Sequence, residues 1–182
     1  RATPRAVTGL RAIASMAGGY THSAVLATDG TVYTWGSNYA GQVGDGLAAD
    51  RLAPFAIPAF SGVAALSAGV FHTLALMNDG TVRAWGDGYS GQLGDGRTTP
   101  SPPTVLASGL TGATAVAAGA FFSMARTGDG SVWVWGGNSS GELGDGTTTL
   151  RGTPVKLSGL PVIASIAAAK SSSCTACAAR GP

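Results

Sequence analysis

The stretch Asp29-Gly30-Thr31-Val32-Tyr33-Thr34-Trp35-Gly36, continued by Gly41-Gln42-Val43-Gly44-Asp45-Gly46, decides the fold because it returns. Fifty residues on stand Asp79-Gly80, Trp85-Gly86 and Gly91-Gln92-Leu93-Gly94-Asp95-Gly96. Another fifty bring Asp129-Gly130, Trp135-Gly136 and Gly141-Glu142-Leu143-Gly144-Asp145-Gly146. Working outward in the same register, Gly19 meets Gly69 and Gly119, Pro4 meets Pro54 and Pro154, and Leu10 meets Phe60, Leu110 and Leu160. A constant period of this size marks a propeller, a solenoid or an array, so the contents of one unit must choose among them.

In the first unit, Ala12 to Ala17, His22 to Thr28, Thr31 to Gly36 and Pro54 to Ile57 read as short strands. Asp29-Gly30 between two apolar runs is a hairpin signal, and the primed two-residue turn is its expected form. His22 to Ala27 is apolar almost throughout, and residues on both faces of Thr31 to Trp35 suit burial. Blades stacked around an axis bury both sides of a sheet in this way. A helical solenoid is disfavoured, since glycine or proline interrupts each candidate helix. The reading is therefore all-β: a partial β-propeller of four-stranded blades, each of about 50 residues. Units fall near 11–60, 61–110 and 111–160, with a partial fourth from 161; these repeats fill residues 1–169, and 170–182 reads as a degenerate or disordered tail.

Composition agrees with a chain rich in turns and buried strands. Hydrophobic residues make up 45% and charged residues 11%, with 29 glycines and 9 prolines, which excludes a charge-rich disordered chain. The formal net charge of +2 comes from scattered lysines and arginines with no basic block, so nucleic acid is not an expected partner. No apolar run approaches the roughly 20 residues of a spanning helix, and no membrane insertion is expected. The chain opens at Arg1 without a basic-then-apolar leader. Cys174 and Cys177 both fall in the tail and give no disulfide framework to the body.

The runs Gly19-Tyr20-Thr21-His22-Ser23, Asp29 to Gly36 and Gly41 to Gly46 resemble the repeat of the regulator of chromosome condensation propeller family. The second copy, through Gly69, His72, Trp85-Gly86 and Gly91 to Gly96, resembles it more closely still. The resemblance covers about Pro4 to Ala168 and implies a ring of seven blades, of which this chain carries about half. The missing blades are expected from the rest of a longer chain or from a second copy, and a defective product is the third possibility. Ala169 and Ser172 stand where the register calls for the equivalents of Gly19 and His22, and no Asp-Gly or Trp-Gly follows them. Bacterial proteins with such repeats are often secreted or surface-attached, and the composition is compatible with that location.

Several motifs invite a chemical reading. The glycine-rich loops lack the Gly-Lys-Ser/Thr of a phosphate loop, and each repeats a single acid, Asp45, Asp95 or Asp145, too few for calcium. Those aspartates are expected to accept hydrogen bonds from loop amides. His22 and His72 give way to Phe122 in the third unit, so they read as packed, hydrogen-bonded histidines. Ser23, Thr73 and Ser123 have no recurring base beside them. Cys174-Thr175-Ala176-Cys177 has redox spacing without the surrounding βαβ pattern, and a zinc site needs a second ligand pair. Trp35, Trp85 and Trp135 read as blade core, and Trp133 is unrepeated. No catalytic residue, metal or cofactor is expected.

Positions that vary between units carry the information about partners. Tyr20, Val70 and Ala120 share one loop position, and Thr21, Phe71 and Phe121 share the next. After Trp-Gly come Asn38-Tyr39, Gly88-Tyr89 and Asn138-Ser139. Tyr20, Asn38, Tyr39, Phe71, Tyr89, Phe121 and Asn138 are thus the partner-contact candidates, since aromatic residues on loops held by a rigid sheet suit protein recognition. The leading function is a non-enzymatic scaffold that binds a protein partner through propeller-face loops. The alternative implied by the resemblance is a regulator that exchanges guanine nucleotide on a small GTPase, although the strict 50-residue spacing leaves no room for the inserted hairpin such a regulator uses.

Overall fold

A computed structural model describes residues 3–58, 60–99, 101–169 and 177–180. Strands β1 (Ile13–Gly18), β2 (His22–Ala27), β3 (Val32–Gly36) and β4 (Arg51–Ala56) form an antiparallel sheet in chain order. The pattern repeats in β5 (Val63–Ala68), β6 (His72–Met77), β7 (Val82–Gly86) and β8 (Ser101–Leu106). It returns in β9 (Ala113–Ala118), β10 (Phe122–Thr127), β11 (Val132–Gly136) and β12 (Arg151–Lys156). A last pair, β13 (Ile163–Ala167) and β14 (Cys177–Arg180), begins a fourth sheet. Lys170 to Ala176, including Cys174, lie outside the described residues.

The register of the last pair departs from the 50-residue spacing. Ala17 pairs with Ala24 in the first blade, whereas the equivalent Ala167 pairs with Cys177, three places beyond Cys174. The fourth strand of each blade also begins earlier than its proline suggested, because pairing starts where Arg51 faces Gly36. Pro54 is tolerated there since β4 is an edge strand, where a missing amide hydrogen leaves no ladder bond open.

The hairpin signal at Asp29-Gly30 gives a hairpin, but not the primed turn. Gly30 N–H donates to Ala27 O at 3.0 Å and Ala27 N–H to Thr31 O at 2.9 Å, enclosing Thr28, Asp29 and Gly30 in a three-residue loop. Gly30 takes φ +84°, and Asp29 Oδ1 accepts the Thr31 amide hydrogen at 3.0 Å. This is the wider hairpin that ends on a left-handed glycine, and the same bonds recur at Gly80 and Gly130.

The first strands of successive blades pack on one another, β1 on β5, β5 on β9 and β9 on β13, and so line an axis. The apolar cores lie in the seams between blades. Leu26, Val32, Ile57, Val63, Ala75 and Trp85 fill the first seam, and Leu74, Leu93, Leu110 and Trp135 belong to the second. Phe122, Met124, Val134, Leu143 and Ile163 fill the third. Each fully buried side chain of this size contributes roughly 1.5–3 kcal/mol. Burial on both faces holds in the second strands β2, β6 and β10, and fails in β1, the first blade's axial strand, where Met16 and Ile13 are exposed, and in the edge strand β4, where Leu52 is exposed.

Candidate partner-binding surface

Antiparallel order puts the loops 19–21 and 37–50 of the first blade at one end of the sheet, with 69–71, 87–99 and 119–121, 137–150 beside them. Two backbone devices join the short loop to the long one. Ser37 N–H donates to Thr21 O at 2.8 Å, as Asp87 N–H does to Phe71 O at 2.9 Å and Gly137 N–H to Phe121 O at 2.8 Å. The glycine after each tryptophan is fixed by that approach: at Gly36, φ is +113° and a Cβ would lie 2.5 Å from Thr21 O. A similar constraint explains Gly19, Gly69 and Gly119, where a Cβ would run into the ring of His22, His72 or Phe122.

The long loops are tied to the next blade. Trp85 Nε1–H donates to Gln42 O at 2.9 Å and Trp135 Nε1–H to Gln92 O at 2.9 Å. The same carbonyls accept the hydroxyls of Thr73 at 3.4 Å and Ser123 at 2.7 Å. Those hydroxyls also bond the preceding blade's histidine, His22 Nε2 to Thr73 Oγ1 at 2.9 Å and His72 Nε2 to Ser123 Oγ at 3.0 Å. Both imidazoles are buried, so they act as structural links.

Asn38 and Asn138, expected on the contact surface, are buried instead. The Asn38 amide donates to Asp45 Oδ1 at 2.9 Å and to the carbonyls of Leu47 and Ala49 at 3.1 Å, while its Oδ1 accepts Val43 N–H at 2.9 Å. Asn138 repeats this set on Asp145, Thr147, Thr149 and Leu143. Both are loop hubs, enclosed because the loop wraps around them. Asp45, Asp95 and Asp145 accept the amide hydrogens of Leu47, Arg97 and Thr147 at 2.9 to 3.0 Å. Arg51 and Arg151 also pair with Asp45 and Asp145, at 2.6 and 2.7 Å. The hydroxyl of Thr147 and then Arg151 hold the Asp145 carboxyl well below the usual carboxylate range.

This scaffold leaves several aromatic side chains outside. Tyr20 is 74% exposed, Tyr89 68%, Tyr39 61% and Phe121 40%. Tyr20 stands edge-on to Phe71 with centroids 6.3 Å apart, Tyr39 meets Phe71 at 5.4 Å, and Phe71 meets Phe121 at 6.4 Å. Four of the sequence candidates therefore form one band across three blades, with Tyr89 at the position equivalent to Tyr39. Backbone bonds from Tyr20 N–H to Val70 O and from Val70 N–H to Ala120 O, both 3.3 Å, fix the spacing between blades beneath it.

Sequence reading passed over the carboxylates at this end. Asp50, Asp87 and Glu142 break the repeat where the other units carry different residues, and that irregularity was the available signal. Asp87 Oδ1 accepts Tyr89 N–H at 3.0 Å, Asp50 Oδ1 accepts Asn38 N–H at 2.9 Å and Glu142 Oε2 accepts Ser140 N–H at 2.8 Å. Among the described residues no group of His, Cys, Asp and Glu side chains is placed to hold a metal ion. Nor do those residues include a helix long and apolar enough to cross a membrane.

Four-stranded blades joined by a repeated tryptophan-to-carbonyl seam define a segment of β-propeller. The chain belongs to the regulator of chromosome condensation (RCC1) repeat family, whose repeat matches residues 29–76, 79–126 and 129–177; a second form of the repeat matches 13–42, 63–92 and 113–142. No curated protein matches the sequence. The chain is similar to Prp20p from Saccharomyces cerevisiae, studied for its binding to Gsp1p and histones, at 22% identity over 88% of this chain and 42% of that one, with a TM-score of 0.81. It is also similar to yeast RCC1 (Prp20) bound to Kap60, at 22% identity over 91% and 41% of the chains, with a TM-score of 0.77. The ectodomain of the Physcomitrella patens receptor kinase CR4 is similar at 20% identity over 92% and 39%, with a TM-score of 0.57. The chain thus spans about two fifths of the length of these proteins, and what it shares with them is the fold.

Proposed function

We propose that this chain recognises another protein through the loops at the aromatic end of its blades and carries out no chemical step of its own. The observation behind this reading is the band of Tyr20, Phe71, Tyr39 and Phe121, carried on loops that Asn38, Asn138, Asp45 and Asp145 hold from within. Tyrosine and phenylalanine bury a large area on contact and lose few rotamers. A rigid platform beneath them removes most of the ordering cost of binding. The similar Prp20p binds protein partners, which supports the same kind of role here.

Capture of proteins on the immobilised chain, compared with a Tyr20→Ser/Tyr39→Ser variant of unchanged melting temperature, tests the proposal. A specific partner should be retained by the parent and reduced about tenfold on the variant, as expected when central aromatic contacts are lost. Equal retention by both proteins sinks it.

A further inference from the structure

Exposed rings accept many ligands, so the charge around them decides which is preferred. The loops at the aromatic end, with the first residues of β4 and β12, hold six carboxylates, Asp45, Asp50, Asp87, Asp95, Glu142 and Asp145, against three guanidiniums, Arg51, Arg97 and Arg151. Each guanidinium is engaged by the aspartate of its own loop, Arg51 by Asp45, Arg97 by Asp95 at 3.9 Å and Arg151 by Asp145. Among the described residues no lysine or arginine pairs with Asp50, Asp87 or Glu142. This end is therefore acidic although the whole chain has a formal net charge of +2.

Two of the unpaired carboxylates are tied to the loop segments that carry the rings. Asp50 holds the amide hydrogen of Asn38, next to Tyr39, and Asp87 holds that of Tyr89. Asp87 is nine-tenths buried and continues directly from the Phe71 loop through its own amide. The Tyr39 phenol is pushed up by desolvation and then by the charge of Asp87, which places that carboxylate within electrostatic reach of the ring. Glu142 lies three residues beyond Ser139, the third unit's counterpart of Tyr39.

We propose that the segment this face recognises is basic, an arginine- or lysine-bearing stretch of a partner whose cations lie over Tyr39, Phe71 and Tyr89 and are neutralised by Asp50, Asp87 and Glu142. The inference rests on the protein-binding reading above and names the chemistry of its partner. Ring faces attract cations through their quadrupole, and arginine in particular stacks flat on them. Three carboxylates without counter-ions complement that charge and exclude acidic competitors.

The test uses the full chain and fluorescence anisotropy with short labelled peptides in which arginine, lysine, glutamate or serine alternates with glycine. The arginine peptide should bind most tightly, lysine next, with glutamate and serine weaker by about tenfold or more, and affinity should fall as salt is raised. The Asp50→Asn/Asp87→Asn/Glu142→Gln variant keeps every acceptor that bonds a loop amide, so its fold should persist while arginine-peptide affinity drops about tenfold. A Tyr39→Ser/Tyr89→Ser variant should weaken the same peptide. Equal binding of the glutamate or serine peptide, no arginine-peptide binding, or binding indifferent to both variants overturns the proposal. If a captured partner is lost on Tyr20→Ser/Tyr39→Ser but retained in full by the charge-neutralised variant, the binding face stands and its preference for basic segments falls.

Discussion

The indole nitrogen of Trp85 donates its hydrogen to the main-chain carbonyl of Gln42, 2.9 Å away across the seam between the first two blades. Both groups are buried, and water cannot replace either. Trp85→Phe should therefore destabilise the chain by about 0.5–1.5 kcal/mol through the lost hydrogen bond, the carbonyl keeping only its longer bond from Thr73, beyond any loss of packing. Trp35→Phe, at a tryptophan only half buried with no earlier blade described against it, should cost less. Urea denaturation of the two variants side by side measures the difference.

Glycine in the second unit's long loop answers to the next seam, where Trp135 packs. Gly94 has φ +79°, and a Cβ there would lie 2.8 Å from Trp135 Nε1, whereas Gly144 has φ +67° and open space around it. Both alanine variants suffer the left-handed backbone, at ~1–2 kcal/mol. Gly94→Ala should exceed Gly144→Ala by on the order of 1–3 kcal/mol from overpacking. Matching denaturation midpoints would show that the ring yields without cost.

Asn38→Ala removes an acceptor from the Val43 amide and donors from two carbonyls and Asp45. Each buried group left unpaired costs roughly 1–3 kcal/mol. The expected signature is local: hydrogen exchange at Val43 should accelerate well beyond that at Leu93, whose loop is held without an asparagine.

Acid stability should depend on the hairpin aspartates. The Asp29 carboxyl is lowered to about 2, first by the Thr31 amide hydrogen, then by the Thr31 hydroxyl and Arg11. A carboxylate depressed in the folded state contributes stability that is present above its unfolded value, roughly 4, and is lost as pH falls through the folded one. The chain should lose stability progressively from about pH 5 to about pH 2, and Asp29→Asn should flatten that slope while lowering the melting temperature at neutral pH. An unchanged slope removes Asp29 from the account.

The repeat made the blade legible from the sequence. Its strands fall close to their expected places because turn glycines and apolar runs act over a few residues. The seams were not legible, since nothing in Trp85 or Gln42 alone says that a side chain of one unit seeks a carbonyl of the previous one. Asn38 was misplaced for a related reason. Variation to Gly88 in the second unit resembles the freedom of a surface position, yet there Thr99 O comes within 2.1 Å of where a Cβ would stand, so the loop closes on the glycine instead of around an amide. The aromatic band could be named residue by residue, but its continuity depends on the spacing of neighbouring blades. The carboxylates beside it appear only as interruptions of the period.

The seam also bears on how such a chain can grow. The second and third blades each present a tryptophan to the blade before them, and the first two each present a carbonyl above a glycine-lined recess to the blade after them. Plug and socket belong to the same 50-residue unit. A coding segment one unit long, copied in frame, inserts with both of its joints already matched to its neighbours. Lengthening of this kind requires no new complementary surface, and the copied loops at the aromatic end are then free to diverge while the joints stay as they are.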